Sequence, residues 1–326
     1  MTAITRTAYA KLNLYLHITG KRDDGYHLLD SLVAFADVGD EIRAVPADDL
    51  TLRITGPFAG ALDGEDLNDN LVMQAARSLA EHAGVEPHAR LTLVKNLPVA
   101  SGIGGGSADA AATIKALVEL WGIELPDHHI HHAASQLTSH EETHSALSTL
   151  FKLWRDDLDA DMLHTVASAL GADVPVCLEG RTLFMGGIGE QLDLAPTLPP
   201  VWVVLVNPGV ALSTPEVFGA REGDFDRPDR FRNTPGDAGH LAQLLATRHN
   251  GLSDAAIKLT PEIGDVLAAL EQTDGALLTR MSGSGATCFA LFASADGAEI
   301  ARKRLAQAHP DWWCAAAQLI EAPLEY

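Results

Sequence analysis

A glycine-rich loop that opens directly into an apolar-faced helix constrains this chain more than any other feature. From Leu97 to Ala112 it reads Leu-Pro-Val-Ala-Ser-Gly-Ile-Gly-Gly-Gly-Ser-Ala-Asp-Ala-Ala-Ala, with glycine at 102, 104, 105 and 106. Glycine removes the Cβ atoms that would hold a bulky anion off the backbone, and it permits the positive φ values such a loop needs. Ile114, Leu117, Val118 and Trp121 follow at i, i+3, i+4 and i+7, which predicts a helix with one buried face. The free N–H groups and the dipole at its start point at the loop, and that combination binds phosphate. Ser107 falls near the first helical turn, where its hydroxyl is expected to cap those N–H groups or ligate a metal. The plainer alternative is a flexible turn followed by a capped helix.

The commoner nucleotide templates do not fit this loop. No G-x-x-x-x-G-K-[ST] occurs, and Gly102, Gly104 and Ser107 miss the last glycine of G-x-G-x-x-G, so a Walker ATPase and a Rossmann dehydrogenase both lose ground.

Around the loop the pattern is mixed α and β. Tyr9 to Ile18 alternates, with Leu12, Leu14 and Leu16 opposite Lys11, Asn13 and Tyr15, which predicts a strand with one buried face and with Lys11 and Asn13 projecting together. Glu41–Val45 and Leu50–Ile54 flank Pro46-Ala47-Asp48-Asp49 and read as a hairpin. Helical spacing runs from about Asn70 to Glu81, alternation from Arg90 to Lys95, and Val201 to Val206 is a β-branched run suited to a buried strand. From about Thr260 the order is helix, Gly-rich turn, strand (Cys288 to Phe292), helix (Ala295 to Ala308), which argues for an α+β second domain. Residues 128–157 crowd six histidines, His128, His129, His131, His132, His140 and His144, among several Ser and Thr residues and read as an inserted, mostly helical excursion, while Arg221 to Asp237 reads as a polar surface loop.

Composition narrows the partners. Lys plus Arg number 23 against 44 Asp plus Glu, and the formal charge of −21 repels nucleic-acid backbones and acidic membranes. An acidic protein that binds a nucleotide must gather positive charge locally, from helix N-termini, a few lysines and the metal that accompanies the phosphates. Cys177, Cys288 and Cys314 lie far apart without C-x-x-C spacing, as expected of buried reduced thiols. No apolar stretch reaches the length of a membrane span and no signal-peptide pattern opens the sequence, so a cytoplasmic, soluble protein is expected.

Four segments together carry a resemblance. The loop at 98–112 resembles the Pro-x-x-x-Gly-[Leu/Ile]-Gly-Gly-Gly-Ser-x-Asp-Ala-Ala signature of GHMP kinases. Ala10-Lys11-Leu12-Asn13-Leu14 with Gly25-Tyr26-His27, then Leu170-Gly171-Ala172-Asp173-Val174-Pro175, then Ser282-Gly283-Ser284-Gly285 resemble further motifs, in the family's order. They resemble most the branch that acts on a cytidine diphosphate ester of methylerythritol. The resemblance implies an α+β, two-domain GHMP kinase fold: an N-terminal domain (1–179) like the second domain of ribosomal protein S5, and a ferredoxin-like C-terminal domain (180–326). It also implies ATP with Mg²⁺ as cosubstrate and cofactor, and phosphorylation of the ester's 2-hydroxyl, a step of the non-mevalonate isoprenoid pathway. Homoserine, mevalonate and sugar kinases of the same family are the alternatives, and Gly25-Tyr26-His27 argues against them because they have no cytidine to stack.

By the same resemblance Asp173 is the catalytic base, with Lys11 beside it and next to the γ-phosphate; an ordinary structural ion pair is the alternative. Pro98, Ala100, Gly102, Ile103, Gly104, Gly105, Gly106 and Ser107 are implied to bind ATP, with Asn70 and Lys95 at the adenosine. Asn13, Tyr26, His27, Thr214, Phe218, Gly283, Ser284 and Gly285 are implied to bind the substrate, Tyr26 and Phe218 on the two faces of the cytosine and His27 at its edge. Two features depart from the pattern: Ala108 stands where many relatives have a second serine, and residues 128–157 lengthen a connection that is usually short. That segment contains His140-Glu141-Glu142-Thr143-His144, a literal H-E-x-x-H. A zinc hydrolase is therefore a remote alternative, although no glycine-and-histidine continuation follows. A catalytically dead nucleotide-binding module is disfavoured because Lys11 and Asp173 are both present.

Overall fold

The computed structural model describes residues 3–124 and 162–320. Two long strands, β1 (Ile4–Lys21) and β2 (His27–Val45), form an antiparallel pair whose turn carries Gly25-Tyr26-His27. The alternation around Leu12 thus marks a real strand, but its expected single buried face is a correction: Lys11, Asn13 and Tyr15 are as buried as Leu12 and Leu14. The reason is that the sheet is covered on both sides. Val33 and Phe35 of β2 point into one apolar cluster, while Leu32, Ala34 and Ala36 point into another.

The expected hairpin at 41–54 is also corrected. β3 (Thr51–Thr55) forms, but β4 (Arg90–Val94) lies between it and β2, antiparallel to β2 and parallel to β3. Two parallel strands need a crossover, and α1 (Leu71–Ala83) supplies it. Its start is set by Asn70, whose side chain accepts from the Val72 N–H at 3.0 Å, and its end by Gly84 in the left-handed region. After β4 comes the glycine loop and α2 (Gly105–Trp121), which packs across β1, β2 and α1. Helices α3 (Met162–Leu170) and α4 (Val174–Glu179) lead to the hairpin β5 (Leu183–Gly187) and β6 (Gln191–Leu194), in which β5 pairs with β2.

β7 (Trp202–Asn207), α5 (Thr214–Ala220), α6 (Ala238–Ala246), α7 (Ser253–Leu259), α8 (Glu262–Glu271), β8 (Leu278–Met281), β9 (Cys288–Phe292), α9 (Ala295–Ala308) and β10 (Trp313–Ile320) follow. β10 pairs with β7 along its length and with β2 at its end, so the sheet continues as β3-β4-β2-β10-β7-β9-β8. β5 and β6 lie after residue 179 in sequence yet belong by pairing to the β2 side of this sheet.

The segment 221–237 forms no helix or strand, but it is not merely a surface loop. Phe231 is buried, Arg230 Nε donates to Asp30 Oδ1 at 2.6 Å, and the Ile18 N–H donates to Asp226 Oδ2 at 2.9 Å. Its polar residues are spent on buried partners in β1 and β2, which composition alone does not show. Cys177 and Cys288 are buried, Cys314 is half-buried, and none is in a disulfide. Among the described residues no helix is long and apolar enough to cross a membrane.

Candidate active site

A cleft of about 1160 Å³ opens where the glycine loop, β1, the β1–β2 turn, the residues before α4, α5 and the loop after β8 converge. It is larger than a typical single-ligand pocket, so it has room for two substrates at once. Lys11, Asn13, Tyr26, His27, Asn70, Lys95, Pro98, Ala100, Gly102, Gly104, Gly105, Gly106, Ser107, Asp173, Thr214, Phe218, Gly283 and Ser284 all line it. Ile103 and Gly285 do not. Ile103 is a core residue whose carbonyl accepts the Lys11 N–H at 2.9 Å, and a Cβ on Gly285 would meet Met281 Sδ at 2.8 Å.

Lys11 and Asp173 meet across the cleft, with Nζ 2.8 Å from Oδ2. Asp173 is the residue before the first turn of α4, and its side chain makes no cap hydrogen bond there, so the carboxylate is left to Lys11. The lysine side chain is 4% accessible and the aspartate 36%. One oxygen is thus held by an ammonium while the group as a whole stays open to a ligand.

The glycine loop is shaped as much by the protein as by an anion. Gly104, at φ 65° and ψ 22°, occupies the cap position of α2, and no side chain caps that terminus. The expected capping role of Ser107 is corrected: helix begins two residues before it, so its hydroxyl is free of that task and lines the cleft. Gly102, also at positive φ, has no room for a Cβ, which would lie 2.6 Å from the carbonyl oxygens of both Ser282 and Gly285. Ser282 Oγ donates to Gly102 O at 3.1 Å and accepts from the Asn13 N–H at 3.1 Å, and the Thr287 N–H donates to Ser101 O at 3.1 Å. The two glycine motifs are therefore interlocked. Asn250 holds the second one, its Nδ2 donating to Met281 O and Gly283 O at 2.8 Å each. Ser282 stands within the second glycine motif, whereas Asn250 carries no signal in the sequence, because no local pattern marks a buried amide as the support of a distant loop.

Asn13 donates to Ser31 Oγ at 2.8 Å, and its buried Oδ1 has no hydrogen-bond partner among the described residues. Such an atom is costly unless a ligand donor satisfies it. At the far end, His27 stacks on Phe218 with centroids 5.1 Å apart and planes at 27°, whereas Tyr26 is 60% exposed. Burial, then Lys21 and Arg221, holds the His27 imidazole below the usual histidine range, so the ring is neutral near pH 7 and offers one donor and one acceptor.

The resemblance puts Lys95 at the adenosine. It lines the cleft but is itself buried, and its ammonium donates to Asp109 Oδ2 at 2.8 Å and to Asp40 Oδ2. Asp109 stands inside the glycine signature, where it could have been noticed; Asp40, within an apolar strand, carries no comparable signal. The H-E-x-x-H at 140–144 lies outside the described residues. Among the described residues no group of three or more His, Cys, Asp or Glu side chains is placed to hold a metal ion.

Fold and cleft together define a small-molecule kinase of the GHMP class. Residues 70–147 match the model of the GHMP kinases N terminal domain, and residues 231–311 that of the GHMP kinases C terminal domain. The chain is 49% identical over 321 residues to the 4-diphosphocytidyl-2-C-methyl-D-erythritol kinase of Paramagnetospirillum magneticum, covering 98% of this chain and all of that protein. It is 46% identical over 318 residues to the enzyme of the same name from Rhodospirillum rubrum, covering 98% and 93%. A crystal structure of 4-(cytidine 5'-diphospho)-2C-methyl-D-erythritol kinase superposes with a TM-score of 0.67 at 32% identity, covering 97% of this chain and 98% of that one. The homoserine kinase of Cytophaga hutchinsonii, at 18% identity and a TM-score of 0.61, shares the fold. The chain belongs to the GHMP kinases, in the family of the 4-diphosphocytidyl-2-C-methyl-D-erythritol kinases.

Proposed function

We propose that the cleft binds ATP at the glycine loop and transfers its γ-phosphoryl group to the 2-hydroxyl of 4-diphosphocytidyl-2-C-methyl-D-erythritol. The observation that carries this is the Lys11–Asp173 pair, 2.8 Å apart and open on the carboxylate side, beside a loop whose Gly104 packs against the Lys11 stem. Asp173 takes the proton of the acceptor hydroxyl, that oxygen forms a bond to the γ-phosphorus, the bond from phosphorus to the β–γ bridging oxygen breaks, and ADP leaves. Lys11 holds one oxygen of Asp173 in place and sets positive charge where the transferring group passes, which is most of what phosphoryl transfer asks of a protein. The N-terminus of α2 faces the phosphates. Asn13 Oδ1 accepts from a substrate hydroxyl, and Thr214 and Ser284, joined at 2.7 Å, contact the substrate from the other wall.

Mg²⁺ fits this site as an ion carried largely by ATP, with Ser107 Oγ as a protein oxygen within the loop, and it would supply charge neutralisation to the phosphates. The cytosine is bound at the β1–β2 turn and α5 by Tyr26, His27 and Phe218. His27 and Phe218 stack on each other, so a base sandwiched by Tyr26 and Phe218 takes the Phe218 face that His27 leaves open or moves His27 aside to the base edge. A coupled ADP-release assay with the cytidylyl ester, free methylerythritol, homoserine and mevalonate tests the proposal. Efficient turnover of homoserine or mevalonate with none of the cytidylyl ester would overturn the substrate assignment.

A further inference from the structure

Three buried charged groups beside the cleft have no part in the chemistry above. Lys95 follows β4, Asp40 lies in β2 and Asp109 in the second turn of α2. Lys95 Nζ bridges the two carboxylates, donating to Asp109 Oδ2 at 2.8 Å and to Asp40 Oδ2. Asp40 Oδ1 in turn accepts the Asn96 and Leu97 N–H groups at 2.5 and 2.8 Å, and Asn96 Nδ2 donates to Gly39 O at 3.2 Å. The residues before the glycine loop and the helix after it are thus tied to one carboxylate of β2 through one ammonium. A Cβ on Gly105 would lie 3.2 Å from Lys95 Nζ, so the ammonium also sits against the first turn of α2.

A lysine that served mainly as a nucleotide contact would keep its ammonium available. This one spends two donors on carboxylates that are themselves buried, and without it two like charges would face each other away from water. We propose that Lys95, Asp40 and Asp109 form a positioning triad that holds the glycine loop in its phosphate-accepting shape before ATP arrives. The triad acts on the nucleotide through the loop. The inference rests on the assignment of the loop as the ATP site.

The test compares Lys95→Met, Asp109→Asn and the double variant with wild type, by calorimetric binding of a non-hydrolysable ATP analogue and by steady-state kinetics at saturating acceptor. Lys95→Met should raise the ATP KM and the analogue Kd about tenfold or more, with a much smaller change in kcat. Adding Asp109→Asn should recover most of that affinity, because it removes a carboxylate the lysine no longer covers. A double variant as weak as Lys95→Met would overturn the proposal and make Lys95 a direct nucleotide contact. Should Lys95→Met not fold, Asp109→Asn alone decides: it should weaken ATP severalfold at near-constant kcat, and an unchanged ATP affinity would overturn the triad. Gly104→Val separates the underlying assignment, since full ATP affinity in that variant would move the ATP site elsewhere whatever the triad does.

Discussion

Two lysines approach the same glycine loop in opposite ways. Lys11 meets one carboxylate, Asp173, whose side chain remains 36% accessible; Lys95 is closed between two carboxylates that are almost wholly buried. The difference separates a pair that a ligand can reach, as the proposed proton transfer requires, from one closed to ligands. An open carboxylate with one anchored oxygen can accept a substrate proton and release it to water. A buried triad loses its packing and its charge balance if any member moves, so it suits a fixed loop.

The comparison breaks first at Asp173. Asp173→Asn should lower kcat by about a hundredfold or more while ATP binding, measured by calorimetry, stays close to wild type. Near-normal turnover in the folded variant would return Lys11–Asp173 to the status of a structural pair.

The interlock of the two glycine motifs should give the next largest effect. In Gly102→Val the new side chain meets the backbone of Ser282 and Gly285, so both ATP and the acceptor should bind at least tenfold more weakly and the melting temperature should fall. A variant that loses only ATP affinity would show that the second glycine motif does not depend on the first.

At the aromatic end, Phe218→Ala should raise the KM for the cytidylyl ester by about tenfold, since base stacking on an aromatic ring contributes about 1 to 3 kcal/mol. Tyr26→Ala should cost less, because that ring is largely exposed and has less fixed geometry to offer. ATP KM should not change in either, and a reversal of the order would place the base against Tyr26 first.

The smallest effect is a pH slope. Burial pushes the Asp109 carboxyl up to about 7 from an ordinary 3.8, against the attraction of Lys95. Between those values the folded protein holds a proton that the unfolded chain releases, so this group's contribution is full below about 3.8 and is lost as pH rises through 7. Lys95 and Asp40 face it directly, and the Lys95 ammonium, desolvated by burial but held above its usual range by Asp109 and Asp40, stays charged across that window. Asp109→Asn should therefore flatten stability against pH between 4 and 7, read from denaturant unfolding; an unaltered slope would mean that Asp109 is ionised throughout.

Much of the site was legible in the chain because its signals are local. The glycine run, the apolar spacing after it and the short motifs at 10–14, 25–27, 170–175 and 282–285 depend on neighbours within a few residues. The strand at 288–292 and the helix at 295–308 appear with the boundaries their spacing predicts. The hairpin at 41–54 failed for the converse reason: a turn-like tetrapeptide says that two strands end there, but not whether a third enters between them. Alternation sets Lys11, Asn13 and Tyr15 opposite a single expected buried face, because it reports which residues share a face, not how many faces are covered.

By itself the sequence determined the class of loop, the helix that backs it and the motifs of the family, among them those that hold Lys11 and Asp173. Only the tertiary structure decided that Lys11 meets Asp173 across a separation of 162 residues, that Gly102 must be glycine because another loop presses on it, and that Lys95 turns to Asp40 and Asp109. Local conformation follows from short-range sterics and periodicity. The partner of a buried charge follows from which strands become neighbours, and that is settled by packing over the whole sheet.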